Sequence, residues 1–271
     1  MRPLTLTVRN RPDQRLDLSP LVPHLLSGKT AVQIERVELQ TTRYRVSVGD
    51  VFRVRMGDAG QICIEGAGER FDRVGQAMTV GEVVVDGDVG IQAGRLMAGG
   101  RLTLRGNTGP WAASGMKGGV IEILGAADAY LGGPLAGETA GMRGGLVIVR
   151  GQAGARAGDR MRRGTIIIEG EAGAYAGGRM IAGTLIVGGK AGPLPGFLMK
   201  RGTIVVGNGC AEMSPTFVDC GHHELLAMRL LAGLTQPYSK SSAALLRRPL
   251  QRFVGDMAVV GKGEIFVGAR N

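Results

Sequence analysis

Seven methionines recur along the middle of the chain, Met78, Met97, Met116, Met142, Met161, Met180 and Met199, at separations of 19, 19, 26, 19, 19 and 19 residues. Each is followed three residues later by a glycine: Gly81, Gly100, Gly119, Gly145, Gly164, Gly183 and Gly202. Nine residues after each stands Gly87, Gly106, Gly125, Gly151, Gly170, Gly189 or, in the last copy, Asn208. A register held through seven copies specifies one small unit stacked on itself, a quasi-one-dimensional solenoid. Such arrays commonly serve as surfaces for other proteins.

Between the two glycines of each copy lies a short aliphatic run, such as VVV at 83–85, VIV at 147–149 and III at 166–168. Runs this short, β-branched and bounded by glycine predict strands. Their first and third residues are always aliphatic and share the buried face. The second residues, Val84, Thr103, Glu122, Ile148, Ile167, Ile186 and Val205, are expected to face outward. The remaining G-x-x-G-x-x-x-G pattern places glycine where left-handed backbone and close approach are needed, and Asn208 tolerates the same region. The unit therefore predicts an all-β chain, one coil of a parallel β-helix per ~19 residues and about seven to eight coils in all. The methionines read as an internal ladder filling gaps between coils, in preference to a thioether array for a metal. The one longer step carries seven extra residues, Pro134 to Ala140, read as a surface loop on a contact face or as a neutral insertion.

The 271 residues carry a net charge of +10, which implies an acidic partner. Nucleic acid is disfavoured, because no binding motif is present and the bases are spread through the repeats. Lys117, Arg143, Arg162 and Lys200 directly follow ladder methionines, with Arg163 and Arg201 one residue further on. Stacked coils would align them in a basic stripe, either solvated or covered by an anion. A second outward row reads Gln92, Trp111, Tyr130, Arg156, Tyr175 and Leu194. Trp, Tyr and Arg are enriched in interfaces. With Ile148, Ile167 and Ile186, the row's Trp111, Tyr130, Arg156 and Tyr175 form a candidate partner interface, unless part of this surface is covered by the chain's own end segments.

Residues 1–60 do not keep the repeat and read as an N-terminal cap, with a strand at 4–8, a short helical or turn segment at 19–26, and two strands at 44–55 about Gly49-Asp50. Residues 61–209 form the repeat domain, opening with an irregular coil at 62–66. Residues 210–271 read as a C-terminal cap: a helix at 222–234, an extended basic arm at 235–252, and a closing pair of strands around Gly261 to Gly263. Cys220, His222, His223 and Glu224 are the densest set of metal-capable side chains, but adjacent histidines diverge and no second ligand pair exists, so no metal site is assigned. No P-loop, G-x-S-x-G or H-E-x-x-H motif occurs, and no base is identifiable for Cys210, so no catalytic residue is assigned either. Three widely spaced cysteines, no apolar leader and no long apolar stretch predict a soluble, cytoplasmic protein without membrane association.

The repeated M-x-x-G with its short strand, the lead-in SVGDVFRV at 47–54 and the closing KRGTIVV at 200–206 resemble the C subunit of formylmethanofuran dehydrogenase. They resemble most closely the bacterial formyltransferase/hydrolase members of that family, and less closely the C-terminal β-helical domain of the glutamate synthase large subunit. The resemblance covers roughly 44–210. It implies a right-handed β-helix and a noncatalytic scaffold role in a cytoplasmic hetero-oligomer of one-carbon metabolism. In such complexes sister subunits move formyl from formyl-tetrahydromethanopterin to a methanofuran-type carrier and release formate, as part of formaldehyde oxidation. The metal would sit in a sister subunit, with no cofactor bound by this chain. A polyglutamate carrier tail or the acidic surface of a sister subunit would then meet the basic stripe. A molybdenum or tungsten dehydrogenase and a glutamate-synthase-type module are the alternative settings.

Overall fold

Each repeat's aliphatic run pairs with the equivalent run of its neighbour as a parallel strand, since a strand of four residues cannot complete its hydrogen bonding alone. A computed structural model describes residues 2–41 and 43–268. Its first part holds β1 (Pro3–Val8), β2 (Leu16–Asp17), α1 (Pro23–Leu26), α2 (Ala31–Glu35), β3 (Glu38–Thr41), β4 (Val46–Ser47), α3 (Val48–Val51), β5 (Phe52–Arg55), β6 (Asp58–Ala67) and β7 (Phe71–Asp72). The repeats supply β8 (Glu82–Gly87), β9 (Arg101–Leu104), β10 (Val120–Ile123), β11 (Arg143–Val149), β12 (Arg163–Ile168), β13 (Thr184–Val187) and β14 (Thr203–Val206). The last part holds β15 (Val218–His223), α4 (Leu226–Thr235), α5 (Lys240–Leu245), β16 (Leu250–Gly255), a single 3-10 turn at Met257–Val259 and β17 (Gly263–Val267). The protein is mostly β. One mixed sheet runs β15-β16-β17-β14-β13-β12-β11-β10-β9-β8-β6-β1-β5, and a small one runs β4-β3-β2-β7.

Val85, Leu104, Ile123, Val149, Ile168, Val187 and Val206 are successive partners in the large sheet. A second ladder of single bridges joins Val89, Thr108, Ala127, Ala153, Ala172, Ala191 and Cys210. The added residues at 134–140 disturb neither ladder: Ile123 still faces Val149, and Ala127 still faces Ala153.

All seven ladder methionines are 0 % exposed and share one core with the first and third strand residues. The glycine three residues after each methionine has a steric reason. A Cβ at Gly119 would stand 2.8 Å from Met97 Cε, and one at Gly164 would stand 2.9 Å from Met142 Cε. The methionine of one repeat thus fills the space that a side chain would occupy in the next. Gly164 also has φ +95°, a left-handed value that L side chains rarely adopt.

Of the two covers expected for the outer strand row, the chain's own end segments supply it, which removes its isoleucines from the candidate partner interface. Ile148, Ile167 and Ile186 do lie on the sheet face opposite the methionines, yet they are buried, as is Val205. They form a second core with Met228, Ala232, Ala243, Leu245, Leu246, Leu250 and Phe266, so this chain's own α4, α5 and closing strands cover them. The cover is pinned by Arg150, which donates to Glu122 (2.6 Å), to Glu169 (2.9 Å) and to the Tyr238 carbonyl (2.9 Å) between the two helices. Burial alone would lower the Arg150 pKa, but the hydrogen bond to Glu122 and the charges of Glu169 and Glu122 carry it above its ordinary value.

Both ends depart in part from the sequence reading. His222 and His223 belong to β15, paired with Gln251 and Leu250, so the helix starts only at Leu226. The stretch 235–252 is no extended arm: Ser239 caps α5, and Ala243, Leu245 and Leu250 bury against the outer row. β17 then pairs in parallel with β14 and adds a further rung, with Val206 facing Val267. At the other end, Gly49-Asp50 lies inside the helical turn α3, where Ser47 and Asp50 form a capping box, and β5 pairs with β1. The strands expected at 4–8 and 62–66 are present as β1 and within β6.

Replacing Met161 by Ala should cost about 2–5 kcal/mol through the cavity left behind. Met161→Asp should cost more, because a charge without a partner would enter the core. Gly164→Ala should cost about 2–4 kcal/mol from backbone strain and overpacking. Urea unfolding of the three variants measures this. A Met161→Asp chain as stable as the parent would contradict the burial of the ladder.

Candidate functional site

The corner of each repeat that precedes the methionine is built from left-handed residues. Gln92, Trp111, Tyr130, Arg156, Tyr175 and Leu194 all have φ between 55° and 64°. Bulky side chains resist this conformation, and here the neighbouring repeat enforces it. The amide of Trp111 donates to the Ala129 carbonyl (3.0 Å), that of Tyr130 to Ala155 (2.8 Å), that of Arg156 to Ala174 (2.8 Å) and that of Tyr175 to Pro193 (2.9 Å). Identical torsions in successive repeats aim the side chains alike, so they stack. Trp111 lies on Tyr130 with ring centroids 5.6 Å apart, the Arg156 guanidinium sits 5.9 Å from the Tyr130 centroid and 4.8 Å from that of Tyr175, and Tyr175 meets Phe197 edge-on at 5.7 Å. All five are half-buried, so a continuous aromatic–cation column remains open along one side. Phe197, which closes it, was not part of the sequence row, because it sits three residues past the register position.

Beneath the column lies Asp159, a buried carboxylate. Arg179 donates to it twice, at 3.0 and 2.5 Å, and Arg156 approaches to 3.9 Å. The hydrogen bond to Asp159 raises the Arg179 pKa above its ordinary value. The insertion folds back onto the same corner: Glu138 pairs with Arg95 at 2.7 Å, and Arg160 donates to the Glu138 carbonyl at 3.1 Å. The hydrogen bond from Arg95, helped by the Leu135 amide and the charge of Arg143, holds the Glu138 carboxyl below its ordinary 4.5 against the opposing effect of burial.

The basic stripe is also assembled. The amides of Lys117, Arg143, Arg162 and Lys200 each donate to the ladder-methionine carbonyl of the preceding repeat, so the four occupy one column, interrupted by Ile181. Arg163 is the sheet partner of Arg143, and Arg201 follows Lys200 in the chain. All six side chains are exposed, and among the described residues none of them forms an ion pair. Lys262 adds an exposed cation at the end of the stripe, level with Arg201 in the β14–β17 register, its amide donating to the Lys200 carbonyl at 2.7 Å. Sequence reasoning missed it, because it lies outside the repeats and reaches the column only through the β17 pairing.

A polar groove of about 650 Å³ follows the bridge ladder and includes Glu69, Asp88, Asp128 and Glu171 with Arg15. Asp88 accepts from the Asn107 amide at 2.6 Å and Asp128 from Ala129 at 2.6 Å, so two of its carboxylates serve turns. Among the described residues no three His, Cys, Asp or Glu side chains gather to hold a metal, and no helix is long and apolar enough to cross a membrane. The Cys220–His223 segment is an exposed strand in which a His223 ring nitrogen lies 2.8 Å from the Cys220 carbonyl.

No protein-family model matches the sequence. The C subunit of the formyltransferase/hydrolase complex Fhc of Methylorubrum extorquens is 50% identical over 265 residues, covering 98% of this chain and 99% of its own length. This chain belongs to that Fhc C-subunit family. A solved structure, the formyltransferase/hydrolase complex (FhcABCD) from Methylorubrum extorquens in complex with methylofuran, holds a chain that superposes with a TM-score of 0.94. That alignment has 42% identity and covers 98% of this chain and 100% of the other. The C subunit of tungsten-containing formylmethanofuran dehydrogenase 2 from Methanothermobacter wolfeii is 37% identical over 99 residues, which is 35% of this chain and 37% of that protein. The bacterial family therefore accounts for both ends of the chain as well as the repeats.

Two measurements probe this face. Trp111 is the sole tryptophan, so Tyr130→Ala should shift its emission to the red as one ring face opens to water, at a cost of about 0.5–1.5 kcal/mol beyond lost area. Glu138, with its pKa lowered in the folded state, stabilises the docked insertion above its unfolded pKa, and that contribution is lost as pH falls through the folded value. Hydrogen exchange at 134–140 should therefore be slow at pH 7, after correction for intrinsic rates, and lose protection below pH 4.5. Glu138→Gln should remove that pH dependence.

Proposed function

We propose that this chain is the scaffold subunit of a formyltransferase/hydrolase complex in the cytoplasm. In that reading sister subunits transfer formyl from formyl-tetrahydromethanopterin to a methanofuran-type carrier and release formate. The observation that carries it is the near full-length match, 50% identity across 98% of the chain. The aligned strand ladder, the bridge ladder and the buried methionines support a right-handed parallel β-helix over 61–209, with caps at 1–60 and 210–271. Metal and formyl chemistry belong, in this reading, to the sister subunits. The short match to the tungsten enzymes, 35% of the chain, supports the bacterial-type complex over the archaeal one. Affinity purification of the tagged chain from its own cells, with mass spectrometry of what accompanies it, tests the assignment. Partners unrelated to formyl transfer would overturn it.

The cationic column deepens the reading. Lys117, Arg143, Arg162, Arg163, Lys200 and Arg201 are exposed cations in line, and cations held a strand spacing of about 4.8 Å apart repel one another unless an anion lies over them. A glutamate-rich carrier tail has the extended shape to follow such a line, keeping its reactive head near the complex and raising its effective concentration. Acidic surface of a sister subunit is the competing occupant. Trp111, Tyr130, Arg156 and Tyr175, open beside it, are proposed as a partner face. Reversing Arg143, Arg162 and Lys200 together should weaken carrier binding at least tenfold, and most at low salt, with the complex intact. Dissociation of the complex would instead favour docking of a sister subunit. Unchanged carrier affinity and assembly would reduce the column to a solvated face.

A further inference from the structure

Helix α4 carries more apolar surface than its own fold uses. Of its ten residues only Arg229 and Thr235 are polar, the composition of a helix covered on two sides. One side is covered: Met228 and Ala232 pack into the core formed with Ile148, Ile167 and Ile186. The other is open. Leu226, Leu230 and Leu234 are 71%, 64% and 73% exposed, and their spacing of four residues sets them in one stripe. Ala227 and Gly233 border the stripe, are also exposed, and allow a second backbone to come close. Apolar patches of this kind on a folded surface mark interaction sites.

The rim of the stripe selects among occupants. Arg229 projects from α4 beside the leucines, Arg247 donates to the Gln236 side chain at the helix end, and the next residue, Arg248, is exposed. Arg229 has one weak neighbour of opposite sign, Glu224 at 3.7 Å, and both are largely exposed. A second copy of this chain docked about a twofold axis would set that basic rim against itself, and like-charge juxtaposition opposes association. An apolar surface bordered by carboxylates satisfies both the leucines and the arginines. We propose that the Leu226–Leu230–Leu234 stripe of α4 is a docking surface for a sister subunit that presents an apolar patch with an acidic rim. This rests on the reading of the chain as one member of a hetero-oligomer.

The test uses the whole complex, purified through a tag on a sister subunit. The full-length chain is supplied as wild type, as the triple variant Leu226→Ser/Leu230→Ser/Leu234→Ser, or as Arg229→Glu/Arg247→Glu. The triple variant should bind about 30-fold or more weakly, the loss expected on removing central interface residues. The charge variant should also bind more weakly and lose the salt sensitivity of the wild type. Both should melt within a few degrees of wild type, since the replaced leucines contribute little to internal packing. Assembly of the triple variant at wild-type affinity would overturn the proposal. So would a dimer of the isolated chain that the triple variant abolishes in sedimentation equilibrium, or phosphatidylserine-vesicle binding that it abolishes. Failure of the wild-type chain itself to accompany sister subunits would refute the complex reading and this surface with it.

Discussion

The structure depends on one contact repeated up the array: a methionine methyl group occupying the volume where the next repeat has no side chain. Met97 against Gly119 and Met142 against Gly164 show why neither partner can change alone. A larger residue at the glycine meets the methyl, and a smaller one at the methionine leaves a void. Because the contact joins adjacent repeats, it fixes their offset as well as their separation. The strand ladder and the bridge ladder keep step across the 26-residue interval for the same reason. The insertion can only leave the array, and it does so at the left-handed corner, where Glu138 returns to Arg95.

Fixed offset turns sequence periodicity into columns of chemistry. A tryptophan or tyrosine with φ near 60° is unfavourable alone, yet Trp111, Tyr130 and Tyr175 tolerate it because each amide has a carbonyl of the next repeat to meet. The strain is local and the hydrogen bond is between repeats, so the corner holds only while the stack does. Its result is a row of aromatic faces at stacking distance with Arg156 between two of them, tied through Asp159 to Arg179.

The parts that follow the period were legible in the sequence: the strands, the buried Met ladder, and the alignment of Lys117, Arg143, Arg162 and Lys200. What periodicity could not reveal is what covers the outer face. Ile148, Ile167 and Ile186 look the same in sequence whether a partner or the chain's own helix lies over them, and the choice depends on contacts far along the chain, to Met228 and Leu245. β17 was legible as a closing strand, but its place as a further rung was hidden for a similar reason. Its GEIFV continues the ladder beside β14 but lacks the methionine and its spacing, so only pairing across the intervening helices identifies it as a rung. The histidines at 222 and 223 were drawn into a helix by the apolar run after them, whereas pairing with Gln251 and Leu250 holds them extended.

Residues that build the array and residues that decorate it occupy different columns, which makes the charge informative. The position after the ladder methionine requires only a backbone amide, since Ala98 and Ile181 serve there as well as Lys117 or Arg162. Apart from Arg143, whose charge favours the Glu138 carboxylate, packing gives no reason for a cation at that site, and neighbouring cations at rung spacing repel. Four of them nevertheless hold that position from Lys117 to Lys200 with a single interruption, and Lys262, from a segment outside the repeats, adds a cation level with Arg201. The glycines and methionines are explained by packing within the chain. Packing within the chain does not account for the basic column or for the leucines on the open side of α4, and it is this that motivates the outside contacts proposed for both.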